Sequence, residues 1–129
     1  MKKLLGVVLM IFVMSLALAG CGPKDVVVTQ EMNGQKVTVK PGAEVTVELP
    51  GNPTTGYTWE ATDLDVNVLK QAGEAEFKAE SDLLGAPGMI TLKFEAVAAG
   101  ETTLKLIYHR TFEEGVAPES TFEVNVVVK

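Results

Sequence analysis

From Val26 to the end of the chain, apolar residues recur at every second position, and no stretch of useful length carries helical spacing. A chain of this kind can bury a core only by stacking strands. Val45, Val47 and Leu49 share one face of a run that also holds Glu44, Thr46 and Glu48. Ile90, Leu92, Phe94 and Ala96 make a second such face; Leu104, Leu106 and Tyr108 make a third; Phe122, Val124, Val126 and Val128 make a fourth. Asn33-Gly34 lies between two β-rich runs and predicts a tight hairpin, because primed turns need residues that tolerate positive φ. Pro41-Gly42 and Ala99-Gly100-Glu101 mark further turns. The pattern is weakest from Asp63 to Leu83, where short strands are expected around Val66–Leu69 and Ala75–Ala79. About eight short strands with one mid-chain tryptophan predict an all-β fold over residues 26–129. The expected architecture is an immunoglobulin-like antiparallel β-sandwich, with a small β-barrel as the alternative.

The first twenty residues have a different character. Lys2 and Lys3 precede a nearly unbroken apolar run from Leu4 to Met14, and small residues follow in Leu18-Ala19-Gly20-Cys21. This is the order of an export signal. Leu4 to Ala19 is 16 residues, short of the roughly 20 that a spanning helix needs. The end of the segment resembles a bacterial lipobox, which implies cleavage after residue 20 and lipidation of Cys21. Residues 21–25 would then form a short spacer holding an exported domain close to the membrane of the cell envelope. Cys21 is the only cysteine, so no intrachain disulfide can form and the core alone must hold the fold. Losing residues 1–20 removes two lysines and no acid, moving the formal charge from −6 to −8. An acidic domain lacks the basic patch that nucleic acid requires, so no nucleic-acid partner is expected.

The inventory of reactive groups is thin. His109 is the only histidine, and it lacks the partners of a nucleophilic triad. No His, Cys and carboxylate cluster has the spacing of a metal site, and the acidic pairs Asp63/Asp65 and Glu113/Glu114 read as solvated loops. No glycine-rich phosphate loop leads into a helix. The chain is therefore expected to be neither an enzyme nor a cofactor or metal protein.

Three segments remain, each an ordinary turn when read alone. Asn52-Pro53-Thr54-Thr55-Gly56-Tyr57 joins two strands, Leu84-Gly85-Ala86-Pro87-Gly88 leads into a third, and His109-Arg110-Thr111-Phe112-Glu113-Glu114-Gly115 leaves a fourth. Two strands and one turn separate the second segment from the third, so these two are expected at one end of the sandwich. Taken together, in this order and spacing, the three segments resemble the signature loops of the chagasin family, protein inhibitors of papain-like cysteine peptidases. The likeness runs from about Val26 to Val128.

The resemblance implies an immunoglobulin-like fold that inserts three adjacent loops into a peptidase cleft, reversibly and without covalent chemistry. Asn52, Pro53, Thr54, Thr55, Gly56 and Tyr57 would meet the catalytic dyad, with Thr54 at the centre. Gly85, Ala86, Pro87 and Gly88 would line one wall, and Arg110, Thr111 and Phe112 the other. Thr111 and Phe112 stand where the family usually has proline and tryptophan, and Pro87 replaces a usual glycine. A looser third loop and a stiffer second one are expected. Trp59, like Tyr57, reads as core or loop base. The expected partners are a papain-family peptidase and, through the lipid, a membrane; the domain is expected to be a monomer. The alternative is a non-inhibitory envelope binding module that uses the same loop end.

Overall fold

The computed structural model describes residues 25–129. The expected signal segment, Cys21 and the spacer up to Lys24 lie outside the described residues. Nine strands follow: β1 (Val26–Thr29), β2 (Lys36–Val39), β3 (Glu44–Gly51), β4 (Tyr57–Thr62), β5 (Leu69–Gln71), β6 (Glu76–Ala79), β7 (Gly88–Ala96), β8 (Gly100–Arg110) and β9 (Ser120–Val128). They form two sheets. One has the order β1-β3-β7, with β5 and β6 pairing successive lengths of the far edge of β7. The other has the order β2-β9-β8-β4. With two separate sheets the architecture is a sandwich, not a closed barrel.

The alternation read from sequence is the alternation that builds the core. Val45, Val47 and Leu49 lie opposite Phe94, Leu92 and Ile90 in the β3–β7 register, and all six are buried. On the facing sheet, Leu104 and Leu106 pair with Val124 and Phe122, again all buried. Val28 and Leu69 complete the first sheet, while Val37 and Val39 complete the second. Among the described residues no polar or charged residue is buried. A dry core of this kind is close-packed and holds its strands rigidly.

Two expectations require correction. The sheets are mixed and not purely antiparallel, because β1 runs parallel to β3 and β2 runs parallel to β9. Asn33-Gly34 accordingly closes no hairpin. Residues 30–35, which begin with a 3-10 turn at Gln30–Met32, carry the chain from one sheet to the other. Asn33 has φ −55°, outside the positive range that a type I′ turn demands. Its side chain instead accepts a hydrogen bond from the Glu123 amide at 2.9 Å, and the Gly34 amide donates to the Glu123 carbonyl at 2.7 Å. Burial decides the matter: Val28 completes one half of the core and Val37 the other, which a hairpin within one sheet would not allow. The second correction is local. The strand expected at Val66–Leu69 begins only at Leu69, because the Asp65 carbonyl and carboxylate bind the amides of Asn67, Val68 and Leu69 in a turn. The strand expected at Ala75–Ala79 is present as β6.

Candidate functional site

Strand registers determine which loops are neighbours. Gly51, the last residue of β3, pairs with Gly88, the first of β7. Tyr57, the first residue of β4, pairs with Arg110, the last of β8. The segment from Asn52 to Gly56 therefore crosses from one sheet to the other at this end of the sandwich. The loop before β7 (residues 80–87) lies on one side of it, and the loop after β8 (residues 111–119) lies on the other. The three segments picked out in the sequence are one contiguous surface.

The first loop is a closed turn. Pro53–Thr55 is a single 3-10 turn with Asn52 as its N-cap and Gly56 as its C-cap. The Asn52 carboxamide oxygen accepts bonds from the Thr54 amide at 3.2 Å and the Thr54 hydroxyl at 2.5 Å. The Thr55 amide and hydroxyl both donate to the Asn52 carbonyl, and the Gly56 amide donates to the Pro53 carbonyl. Pro53 suits the first helical position, where its missing N–H costs nothing. Gly56 ends the turn at φ +86°, a conformation that favours glycine. A β-carbon there would also lie 3.0 Å from the Phe112 ring.

Asn52 and Arg110 fasten this turn to its neighbours. The Asn52 Nδ2 donates to the Gly85 carbonyl at 2.9 Å, joining the first loop to the second. Its backbone amide donates to the Tyr108 hydroxyl at 2.9 Å. Arg110 Nε donates to the Thr55 carbonyl at 3.0 Å, joining the first loop to the third. Arg110 Nη1 bonds Glu113 Oε1 at 3.0 Å, and its guanidinium lies 4.4 Å from the Tyr57 ring centroid. The bond to Glu113 pushes the Arg110 pKa further above its ordinary value. Below the loops, Trp59, Tyr108 and Tyr57 form an aromatic column, with Tyr108 ring centroids 5.0 Å from Trp59 and 5.2 Å from Tyr57. Trp59 Nε1 donates to the Pro50 carbonyl at 3.0 Å, tying β4 to the end of β3.

Pro53, Thr54, Thr55, Gly85, Pro87, Thr111 and Phe112 are exposed on this end, and Asn52, Gly56, Tyr57, Ala86 and Arg110 are half-buried beneath them. Gly88 differs. It is buried in β7, where a β-carbon would fall 2.0 Å from the Lys78 carbonyl oxygen, so its role is to let β6 approach. His109 points away from the column and bonds Glu60 at 2.7 Å on the outer face. Sequence reading passed over Leu83, and it treated Leu84 only as the start of a loop. Leu84 is wholly exposed, and Leu83 is 78% exposed. Two adjacent leucines in a stretch with no alternation were the signal available.

Residues 38–126 match the family profile described as Chagasin family peptidase inhibitor I42. The chain belongs to the chagasin family. This is a family of peptidase inhibitors, not of enzymes. The chain is 34% identical to Chagasin of Trypanosoma cruzi over 90 residues, which cover 64% of this chain and 79% of that protein. Its fold is similar to the crystal structure of the cysteine protease inhibitor EhICP2 from Entamoeba histolytica, with a TM-score of 0.70 and 23% identity. That match covers 81% of this chain and 95% of the other. PbICP-C, solved in complex with falcipain-2, shares the fold at a TM-score of 0.53 and 18% identity, covering 82% of this chain and 99% of that one.

Proposed function

We propose that this chagasin-family domain is a reversible, non-covalent inhibitor of papain-like cysteine peptidases, with the loop end of the sandwich as the surface that enters the cleft. One observation carries this reading: three loops converge on a single surface, and its central element is a pre-folded turn with Thr54 at an exposed apex.

The physical logic is that of an obstruction which cannot be cut. A peptidase cleaves an extended segment whose carbonyl carbon lies open to its thiolate. In the first loop the chain is wound into a turn, and the carbonyls of Asn52, Pro53 and Thr55 already accept bonds from Thr55, Gly56 and Arg110. Thr54 offers a hydroxyl and no charge, so docking requires no ionised group of this residue to lose water. Because the turn is held before binding, little conformational entropy is lost on association. The loops on either side would grip the walls, with Phe112 projecting 72% exposed from one of them. An interface of the standard size, roughly 1,600 Å², is compatible with tight inhibition, although area does not fix affinity.

The order of charge, apolar run and small residues before Cys21 supports an exported, lipid-anchored protein of the bacterial cell envelope. Replacement of Cys21 by serine should move the protein from the membrane to the soluble fraction; unchanged membrane retention overturns the anchor. For inhibition, residues 22–129 are titrated against papain under reducing conditions. Saturable inhibition with the inhibitor recovered uncut is expected. No inhibition at micromolar concentration across several papain-like enzymes overturns the proposal and favours a binding module without inhibitory action.

A further inference from the structure

We propose that the end of the sandwich opposite the contact loops is a bilayer-facing foot, on which Val66 and Val97 rest against a zwitterionic lipid surface and hold the loops away from it. The foot rests on the reading of Cys21 as a lipid anchor and does not depend on inhibition.

The direction of the chain decides which end faces the lipid. β1 is parallel to β3, with Val26 opposite Val45 and Thr29 opposite Glu48, so residue 25 lies where β3 begins. The contact loops lie at the other end, where β3 finishes at Gly51. The Asp25 carboxylate accepts from the Glu44 amide at 2.8 Å and fixes this point of departure. Cys21 is four residues before Asp25, and that length of chain reaches at most about 14 Å. A lipid on Cys21 therefore keeps this end close to the headgroups.

The same end carries uncovered apolar side chains. Val66 is 59% exposed and Val97 is 40% exposed, the latter beside the exposed Ala98 and Ala99. Val66 sits in the turn that Asp65 caps after β4, and Val97 directly follows β7. The Val97 amide donates to the Val68 carbonyl at 2.9 Å, which joins the two segments. The Ala96 amide donates to the Ala43 carbonyl at 2.9 Å, and Ala43 precedes the Glu44 that Asp25 holds. A line of hydrogen bonds thus refers both valines to the point where the chain leaves the domain.

Isolated exposed valines are ordinary, and two would not hold a free domain on a bilayer. A short tether changes this, because it makes the contact intramolecular at a high effective concentration. The surrounding charges select the kind of surface. Asp25, Glu44, Asp63 and Asp65 outnumber Lys40 and Lys129 around this end, so anionic headgroups would be repelled and zwitterionic ones tolerated. β8 runs between the two ends with 11 residues, a height of about 35 Å. An upright domain presents the Thr54 turn to the aqueous space, clear of the lipid.

The test uses the full chain, produced in a bacterial host, with the lipid on Cys21 read from intact mass, and reconstituted into phosphatidylcholine vesicles. A nitroxide is attached at Ala98→Cys or at Thr54→Cys, both exposed positions; an acylated Cys21 takes no label. Collisions with a water-soluble nickel chelate should be about threefold or more rarer at position 98 than at position 54, because an interfacial face lies among the headgroups. Val66→Asp with Val97→Asp should bring the two positions level without moving the unfolding midpoint, since both valines are exposed. Shielding at position 98 should weaken as phosphatidylglycerol is added; strengthening instead overturns the choice of a zwitterionic surface. Equal collision rates at the two positions on a lipidated chain overturn the foot and leave the anchor standing. Shielding that persists in the double aspartate variant, or that rises with protein density on the vesicle as a second copy would cause, also overturns it. A chain recovered without lipid on Cys21 overturns the anchor and the foot together.

Discussion

The first loop and its two flanking loops are built on opposite plans. Asn52–Gly56 is polar, short and bonded almost atom by atom to itself, to Gly85, to Arg110 and to Tyr108. The flanking tips are apolar and open. Leu83, Leu84, Phe112 and Val116 are all more than half exposed, and beyond the Arg110–Glu113 turn the third loop is next pinned where the Glu119 amide meets the Tyr108 carbonyl. The difference separates two jobs that a binding surface must do. A hydrogen-bonded turn sets where the surface points, because its geometry exists before any partner arrives. On the inhibitory reading proposed above, the exposed apolar tips would carry the adhesion, because their gain comes only when water leaves them.

The contrast can be broken most severely at its centre. Thr54→Glu places a carboxylate at the apex and should weaken inhibition by about a hundredfold or more, since an unpaired charge would be desolvated. Its unfolding midpoint should match the wild type, because Thr54 is exposed; inhibition unaffected by this change would remove the first loop from the contact. Asn52→Ala is next. It deletes the cap on Thr54 and the tether to Gly85, and should cost about 1–2 kcal/mol of stability by denaturant titration. Inhibition should fall about tenfold through loss of pre-organisation.

Arg110→Lys keeps the charge but loses the planar stack on Tyr57 and the Nε bond to Thr55. A loss of about threefold to tenfold in inhibition is expected. If the lysine variant binds as well as the wild type, the tie between the first and third loops does not position Thr54. The smallest effect on inhibition belongs to Asn33→Ala, away from the loops. Losing the acceptor for the Glu123 amide should cost about 1 kcal/mol of stability and leave the inhibition constant unchanged.

How far the sequence could be read depended on the range of the forces involved. The inward faces of β3, β7, β8 and β9 were legible because strand period and burial coincide residue by residue. Asn33-Gly34 was misread because local turn preference suggested a hairpin, whereas burial of Val28 and Val37 in facing sheets required a crossover. The start of β5 was displaced because the side-chain cap from Asp65 to Asn67 is invisible to periodicity. In the site, Asn52, Thr54 and Gly56 were recognisable by type and order. Gly88 was grouped with the contact loop, but its bareness serves the backbone of β6. The tethering bonds of Arg110 had no one-dimensional signature, and the exposure of Leu84 had only the adjacent leucines in a stretch without alternation.

The chain by itself determined the class of fold, the absence of a disulfide within it and the three segments able to form tight turns. Those properties follow from side-chain alternation, a residue count and local backbone preference, which act over a few positions. Tertiary structure alone decided that the segments meet. The pairings Gly51 with Gly88 and Tyr57 with Arg110 bring residues 37 and 53 positions apart to one end of the sandwich. Such pairings are set by the packing of two sheet faces against each other, a long-range condition that no short stretch of sequence carries.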